Sequence, residues 1–587
     1  MVVKSPRRKA MGVHYTPPKL ARFVAERLVE RAILAPGAPL RILDPACGDG
    51  ELLLALREEL RHAWSGEVIV YGVEAEELAV HQARRRLAGW NDAEVHILHG
   101  DFLELSAREG GQSQFWESEQ PDAICFRSFD LAIANPPYVR TQILGASTAQ
   151  RLADRFGLMG RVDLYHAFWV ALTQALCLDG SLGIITSNRF LSTAGGASLR
   201  RFLARNYAVN ELVDLGDTKL FEAAVLPAVF IGRRVALGSS RSTEREGNFL
   251  RVYSCAGSDT HVETYNCANE DVYCLLKHGR PGRYRVSEGC FDLARGTLQI
   301  PENPAGVWAL TTCDERDWLD RIRCASVGVF GDVSTVRVGV KTTADEVFIR
   351  SDWDALPGER IPEPELLHPL LSHEHATRWS RPGERTSEQL ILYPHEVVAG
   401  VRRPIDLDRY PRARAYFESC RERLERRTYV LNAGRRWYEV WVPQDPEAWR
   451  QTKIVFPDIS PESRFYLDTN AWIVDGDSYW ITLRSGIDPA MLYVLLGLAN
   501  SHIMARFHDL AFNNRLYSGR RRYITQYVSR YPLPRLSSTL MEEFVAVVKT
   551  LVSTSASKTG AAATAHSEVE LNRLVAQAFG VREVDCA

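Results

Sequence analysis

The feature that most constrains the fold is a regular alternation of short apolar segments, rich in β-formers, with helical stretches between residues 40 and 235. Such alternation predicts βαβ units, with a mostly parallel sheet that helices cover on both faces. The predicted strands are Leu40–Pro45, Val68–Glu74, Glu94–Gly100, Phe129–Ala134, Leu182–Thr186, Glu211–Leu215 and Ala228–Gly232. The predicted helices are Glu51–His62, Glu76–Ala88, Asp163–Cys177 and Ala197–Asn206. This part of the chain is therefore assigned to the α/β class with a Rossmann-like sheet.

The alternation stops near residue 240, where Gly238–Gly247 (GSSRSTEREG) has the composition of a linker. A chain of 587 residues is too long for one ordinary domain. We predict an α/β domain over residues 1–240 and a mixed α+β domain over 241–545. A linker and a C-terminal helix are predicted over 546–587, since the small-residue stretch Ser553–Ala565 precedes the amphipathic segment Glu568–Phe579.

Composition narrows the class of protein without naming a partner. The chain is 45% hydrophobic and 25% charged with a net charge of −2, as expected of a soluble globular protein. Its eleven cysteines form no CxxC pair, which is the usage of a reducing cytosol, and no apolar run is long enough to span a bilayer. We expect an intracellular protein without a membrane partner. No metal is expected, because Ser372–His375 lacks a third ligand at metal-binding spacing.

Three predicted strand ends carry the residues of a cofactor site. The first strand runs through Asp44 into a glycine-rich turn, DPACGDG, and then into a helix, so a ligand can approach the backbone closely. Glu74 ends the second strand, where a carboxylate can accept from two ribose hydroxyls, and Asp101-Phe102 follows the third, where they can bind an adenine ring. A dinucleotide would prefer a GxGxxG turn, whereas Asp44 suits a cationic amino-acid end. The pattern favours S-adenosylmethionine.

The fourth strand ends in Asn135-Pro136-Pro137-Tyr138 at the same predicted edge. The Asn135 side-chain oxygen and the Pro136 carbonyl can accept from both N–H groups of an adenine amine, which would favour a pyramidal nitrogen with an available lone pair. The proline rings stiffen the turn, and Tyr138 can stack on the base. The alternative is a strand-ending turn with a core tyrosine; the preceding cofactor pattern argues against it.

The order of Tyr15-Thr16-Pro17-Pro18, DPACGDG, Glu74, Asp101-Phe102 and NPPY resembles the gamma-class amino-methyltransferases that act on DNA, including the TaqI adenine methyltransferase. The resemblance implies transfer of a methyl group from S-adenosylmethionine to N6 of a flipped-out adenine at a specific site in duplex DNA. It assigns the cofactor to Tyr15, Thr16, Pro17, Asp44, Pro45, Ala46, Cys47, Gly48, Glu74, Asp101, Phe102 and Asn135. It assigns catalysis and base capture to Asn135, Pro136, Pro137, Tyr138 and Phe221.

The second half of the chain holds two arginine-rich segments. Residues 401–450 contain twelve Arg against eight Asp or Glu, and residues 500–535 contain seven Arg against one Asp. In the first, RERLERR (Arg421–Arg427) is typical of a solvated helix whose acids pair with its arginines. In the second, a single acid leaves excess positive charge for DNA phosphates. The predicted DNA-binding residues are Arg515, Tyr517, Arg520, Arg521 and Arg522.

By the same resemblance, residues 241–545 are a target-recognition domain, and the expected partners are double-stranded DNA and a separately encoded restriction endonuclease. A monomer is expected, in a bacterial or archaeal cytoplasm and held at the nucleoid through DNA. Two alternatives stay open. One is methylation of RNA or of a protein glutamine, which uses the same NPPY motif; the other is a DNA-binding subunit with an inactive cofactor fold. No fused nuclease is expected.

Overall fold

A computed structural model of the chain describes residues 15–106, 127–139, 145–159, 163–220, 226–236, 246–255, 263–264, 271–380, 389–512, 516, 519–555 and 561–582. The chain divides into two compact units. The first comprises Met1–Arg316 with Ala511–Gly519, and the second comprises Asp317–Leu510 with Arg520–Ala587. The predicted boundary near residue 240 therefore differs from the one found.

One eleven-stranded sheet forms the centre of the first unit, in the order β3-β2-β1-β4-β5-β7-β6-β8-β11-β10-β9. Its strands are β1 (Leu40–Asp44), β2 (Val68–Glu74), β3 (Ala93–His99), β4 (Phe129–Ala134), β5 (Leu176–Ser187), β6 (Tyr207–Asp214), β7 (Pro227–Arg234), β8 (Glu246–Ser254), β9 (Glu263–Thr264), β10 (Gly282–Val286) and β11 (Gly289–Gln299). Strands β3, β2, β1, β4 and β5 are mutually parallel, and β7 runs antiparallel to both β5 and β6. The predicted mostly parallel sheet is confirmed in this half.

Helices cover both faces of this sheet and leave two hydrophobic clusters, one on each side. They are α1 (Pro18–Arg31), α2 (Glu51–Ala63), α3 (Glu77–Leu87), α4 (Phe102–Leu105), α5 (Ala146–Phe156), α6 (Leu164–Ala175), α7 (Ala197–Asn206) and α8 (Val272–His278), and α9 (Cys313–Cys324) contains the boundary between the units. Local sequence sets their starts: α1 has Pro at its first position, and α2 follows Gly50 at a φ of 86°.

The sheet does not end at β7, as the change in composition had suggested. Strand β8 pairs in parallel with β6, from Glu211 opposite Asn248 to Asp214 opposite Arg251, and β11 and β10 continue from it. The predicted linker therefore overlaps the start of a sheet strand, and residues 246–299 belong to the first unit. Backbone pairing, which composition does not report, decides the boundary.

The second unit is built from short strands in several small sheets. The strands are β12 (Ser326–Val329), β13 (Ser334–Val338), β14 (Ile349–Arg350), β15 (Leu367–Leu371), β16 (Trp379–Ser380), β17 (Leu390–Leu392), β18 (His395–Val398), β19 (Val401–Pro404), β20 (Lys453–Pro457), β21 (Ile459–Ser460), β22 (Tyr466–Asp468), β23 (Ile473–Val474), β24 (Ser478–Leu483), β25 (Arg521–Arg522) and β26 (Pro532–Pro534). The two largest sheets have the orders β13-β24-β20-β22-β16 and β14-β17-β15-β23.

The helices of the second unit are α10 (Phe330–Val333), α11 (Asp345–Phe348), α12 (Pro411–Ser419), α13 (Arg421–Glu425), α14 (Thr428–Asn432), α15 (Ala490–Asn500), α16 (His502–Phe512), α17 (Thr525–Val528), α18 (Ser538–Ser555) and α19 (Ala561–Phe579). The last two residues of α16, from Ala511, are assigned to the first unit. The mixed α+β prediction is confirmed, whereas the predicted C-terminal linker is largely helical and belongs to this unit. None of the described helices is long and apolar enough to cross a membrane by itself; α15 and α16 reach that length only together, across a 68° bend.

Two side-chain predictions have clear outcomes. Within RERLERR, Arg421 pairs with Glu425 at 2.8 Å and Arg426 with Glu422 at 2.5 Å, so the segment carries the internal ion pairs that its sequence indicated. Seven described cysteines are free, as their sequence pattern indicated, whereas Cys274 is disulfide-bonded.

Candidate active site

The predicted polar residues at the strand ends converge at one edge of the sheet in the first unit. Because β3, β2, β1 and β4 are adjacent and parallel, their carboxyl ends meet there. Asp44 and Glu74 end β1 and β2, Asp101 follows β3 by two residues, and Asn135 follows β4 directly. In parallel α/β sheets this edge is where ligands bind.

The turn after β1 brings bare backbone to that edge. Gly48 and Gly50 have φ values of 54° and 86°, a region that side chains disfavour. The Cys47 amide donates to the Val73 carbonyl at 2.9 Å and so fastens the turn to β2. Pro45 is buried and Ala46 half-buried beside it. The turn therefore offers a rigid, open backbone surface.

Asp44 has a buried carboxyl group of which only one oxygen accepts a hydrogen bond from a described residue. The side chain is fully buried; Oδ1 accepts from the Ala46 amide at 3.1 Å, while Oδ2 has no hydrogen-bond partner in the part of the chain that the structure describes. Burial, with a further contribution from the charge of Glu74, raises the pKa of Asp44 to about 8. A cationic group at this edge would complete Asp44 and lower its pKa.

Glu74 links the glycine-rich turn to the second strand end. Its Oε2 accepts from the Gly48 amide at 2.9 Å, and its Oε1 accepts from the Glu76 amide at 2.8 Å. Both bonds hold the carboxylate at the sheet edge, and each carboxylate oxygen has a second acceptor site. With Asp44 buried nearby, the edge is acidic, which fits a cation-bearing ligand better than a pyrophosphate.

Asp101 and Phe102 lie beside the end of β2, since the Gly100 amide donates to the Glu74 carbonyl at 2.9 Å. Asp101 is exposed and caps α4, accepting from the Leu103 amide at 2.8 Å. Phe102 is only 1% exposed and stacks on Phe168 with ring centroids 6.0 Å apart. Its ring belongs to the core, and stacking on a cofactor ring stays a prediction for it.

Asn135 is held from two sides. Its Nδ2 donates to Thr16 Oγ1 at 3.0 Å, and its Oδ1 accepts from the Tyr138 hydroxyl at 2.8 Å. Pro136 between them is buried and Pro137 half-buried, so the turn has little freedom. Burial raises the pKa of Tyr138 far above its usual value, which keeps the hydroxyl protonated as a donor. The amide is thus fixed in orientation, with its oxygen engaged by a hydroxyl.

The segment Tyr15–Pro17 joins the cofactor turn to this amide. A Cβ built on Gly48 would lie 3.6 Å from the Tyr15 ring, which is 40% exposed, and Thr16 bonds Asn135 as described. Pro17 then precedes α1. The resemblance in sequence assigned Thr16 to the cofactor only. Its hydrogen bond to Asn135 joins residues 119 positions apart, and no motif in the sequence indicated it.

The predicted Phe221, Arg515 and Tyr517 lie outside the described residues.

In the second unit, two predicted DNA-binding arginines already have acidic partners. Arg521 binds both oxygens of Asp509, at 2.6 and 2.8 Å, and Arg522 binds both oxygens of Asp458, at 3.1 and 3.2 Å. Asp509 is the single acid of the basic segment, whereas strands β21 and β25 bring Asp458 to Arg522 from outside it. Both charges are therefore compensated in this structure, and contact of either arginine with DNA stays a prediction. Arg520 is exposed and has no acidic partner among the described residues.

Comparison with known proteins gives concordant matches. The family model described as "Eco57I restriction-modification methylase" matches residues 69–221. The chain is 42% identical to the Type II methyltransferase M.BanIII of Aneurinibacillus aneurinilyticus, over 93% of each chain. It is 26% identical to the Type II methyltransferase M.PaeR7I of Pseudomonas aeruginosa, over 84% of this chain and 81% of that one. Among solved structures, a DrdV–DNA complex is similar in fold with a TM-score of 0.50 at 13% identity, covering 93% of this chain and 58% of that one.

Proposed function

Because the chain belongs to the family of Type II restriction-modification methyltransferases, and so is a DNA methyltransferase, we propose that it methylates N6 of adenine within a specific duplex sequence. The proposed methyl donor is S-adenosylmethionine, which supplies a methyl group on a sulfonium. The observation that carries the proposal is the acidic strand edge, where Asp44, with one oxygen that has no hydrogen-bond partner among the described residues, ends β1 and the fixed amide of Asn135 follows the adjacent strand β4. Methylation of RNA or of a protein glutamine has no support among these relatives.

We propose a role in cofactor binding for each residue at the sheet edge. Asp44 would take a cationic group, Glu74 the ribose hydroxyls, and Asp101 the adenine amino group, each through carboxylate oxygens at the sheet edge. The Gly48 backbone, without a side chain, would allow close approach, and Tyr15 beside it would close the site. No metal ion is needed, because a sulfonium methyl is already activated.

Base capture would exchange one hydrogen bond for another. The Tyr138 hydroxyl now occupies Asn135 Oδ1, where the amine of an extruded adenine would donate. We propose that the amine replaces this hydroxyl, while the Pro136 carbonyl accepts its second N–H and the released Tyr138 ring stacks on the base. Two acceptors on one amine favour a pyramidal nitrogen whose lone pair faces the methyl donor. Extrusion is required because the amine is inaccessible in the duplex.

The methylated base in the DNA product shows whether the target is adenine or cytosine. DNA from cells that express only this protein should contain N6-methyladenine at one sequence, detected by mass spectrometry of nucleosides and by methylation-sensitive sequencing. N4-methylcytosine instead would overturn the proposed base while leaving the DNA methyltransferase activity intact.

Thr16 is proposed as a positioning residue for Asn135. Thr16→Val removes the acceptor for Asn135 Nδ2 at nearly constant volume, and kcat should fall about 5- to 10-fold, the value of one hydrogen bond of about 1 kcal/mol. The KM for S-adenosylmethionine should change little, and Thr16→Ser should restore kcat. A rise in that KM with kcat unchanged would assign Thr16 to the cofactor alone.

Arg520 and Arg521 should behave differently although they are neighbours. Arg520→Gln should weaken duplex binding and flatten the slope of log affinity against log salt by about 0.9, the loss of one phosphate contact. Arg521→Gln should instead destabilise the protein by about 1–3 kcal/mol, because it removes the ion pair and two hydrogen bonds from the Asp509 carboxylate, which is 9% exposed. Thermal unfolding and binding across a salt series measure both; a flattened slope with unchanged stability for Arg521→Gln would contradict the assignment.

The proposed setting follows from the family. We propose that the protein is the modification enzyme that protects DNA from a separately encoded restriction endonuclease, and that it acts as a monomer in the cytoplasm.

A further inference from the structure

The second unit carries a two-stranded ribbon whose tip stands apart from any larger sheet. Among the described strands, β18 and β19 pair only with each other, through a turn at Ala399 and Gly400 with φ values of 51° and 75°. All six residues from 398 to 403 are exposed. A hairpin of this kind, with an unpaired edge on each side, is ordinarily protected by polar side chains.

The base of the ribbon is fixed to the unit. His395 is 6% exposed and Ile405 is 1% exposed, and the Ile405 amide donates to the Pro394 carbonyl at 3.1 Å. The Tyr438 hydroxyl donates to the Ile405 carbonyl at 2.7 Å, and Arg402 donates to the Gln444 carbonyl at 2.7 Å. The tip therefore projects from a rigid support.

The register separates the two faces of the ribbon. His395 lies opposite Pro404 and Val397 opposite Arg402, which is the face anchored to the unit. The other face presents Val398 opposite Val401 at the tip, then Glu396 opposite Arg403. Val398 and Val401 are 41% and 54% exposed, so the solvent-facing side of the tip is apolar. Exposed ribbons ordinarily carry polar or charged side chains there.

The charge behind the tip is positive. Glu396 pairs with Arg409 at 3.7 Å, whereas Arg403 has neither an acidic partner nor a hydrogen-bond partner among the described residues. The outward face thus combines two apolar tip residues with one available guanidinium. This combination suits a polyanion with apolar methyl groups among the base edges inside a groove and charged phosphates at the rim.

We propose that the ribbon 395–404 enters the major groove of the target DNA, with Val398 and Val401 against base edges and Arg403 on a backbone phosphate. The major groove, about 12 Å wide, admits a two-stranded ribbon as it stands, whereas the minor groove, about 6 Å wide, has to be widened at a cost in deformation energy. Arg403 lies two residues behind the tip, about 7 Å at strand rise, which matches the groove depth of about 8.5 Å and puts its guanidinium at the phosphate rim. The inference rests on the proposed function, because it takes duplex DNA as the substrate.

The test uses the full-length protein and a duplex that contains the sequence methylated in cells. V398S/V401S should lower the ratio of kcat/KM for that duplex to kcat/KM for single-base-pair variants by about tenfold, at one or two positions only, without changing the salt slope. Arg403→Gln should flatten the salt slope by about 0.9 and keep the ratio. Val569→Ser, at a valine 66% exposed on α19, is the matched control and should change neither.

The outcomes distinguish failure of the groove assignment from failure of the proposed function. Hairpin variants that match both the wild type and the Val569→Ser control in site preference and salt slope overturn the groove assignment alone. A wild-type protein that methylates no duplex overturns the function itself. If V398S/V401S lowers the melting temperature, V398T/V401T keeps the branched, strand-favouring shape and replaces it in the same comparison. Loss of preference on changing minor-groove groups only, such as the guanine 2-amino group, also contradicts the proposal.

Discussion

Replacing Asn135 with alanine is expected to lower kcat by about 10²- to 10³-fold, the usual cost of removing one preorganised hydrogen-bonding group from a transition state. The Asn135 oxygen matters most as the target nitrogen becomes pyramidal, so binding of duplex DNA and of S-adenosylmethionine should stay near wild-type values. Single-turnover methylation at saturating cofactor measures the chemical step, and binding is measured separately. Wild-type turnover by this variant would remove Asn135 from the mechanism.

Two variants separate the acceptor from the rest of the side chain. Asn135→Asp keeps an acceptor for the base, and Thr16 can donate its hydroxyl to the new carboxylate, so partial activity is expected. Tyr138→Phe removes only the hydroxyl that occupies Asn135 Oδ1 and retains the ring, so the chemical step should be largely preserved. Equal loss in Asn135→Asp and Asn135→Ala would argue against the acceptor role.

Glu74→Ala should weaken S-adenosylmethionine binding by about 1.5–3 kcal/mol, or about 10- to 150-fold, the range for a charge-assisted hydrogen bond. The variant loses the proposed ribose acceptor and also the bond that holds the Gly48 amide at 2.9 Å. Calorimetry of the cofactor alone measures the effect. Duplex binding without cofactor should change far less, because the proposed contacts of Glu74 are with the cofactor only.

Glu74→Gln distinguishes these two contributions. A glutamine keeps one acceptor oxygen, which can satisfy the Gly48 amide or the Glu76 amide but not both, and it lacks the charge. Its cofactor affinity should therefore fall between those of the wild type and Glu74→Ala. Unchanged affinity in both variants would exclude Glu74 from the site.

The sequence was most informative where chemistry and backbone geometry coincide. Strands β2 and β4 have the predicted bounds, and their ends carry Glu74 and Asn135 to the same edge because parallel neighbours must align there. In each case a short, largely apolar run leads to a polar residue at the strand end. The same local pattern therefore predicted both the strand and the position of the site residue.

Tertiary pairing explains what the sequence did not predict. Strand β8 joins β6 through hydrogen bonds between residues 37 apart, such as Glu211 and Asn248, while the composition changes between them. Arg522 meets Asp458 from 64 residues away, so a count of acids within the basic segment could not predict that its charge is compensated. The contact of Thr16 with Asn135 is of the same kind.

The continuous eleven-stranded sheet has a consequence for exchanging specificity between relatives. A chimera joined near residue 240 would pair β6 of one parent with β8 of the other, and a mismatch at this interior pairing would expose strand edges, which invites aggregation. A junction in α9 after Arg316 keeps all eleven strands from one parent. Because Ala511–Gly519 also belongs to the first unit, a graft that preserves both units exchanges two segments, Asp317–Leu510 and Arg520–Ala587, rather than one continuous C-terminal half.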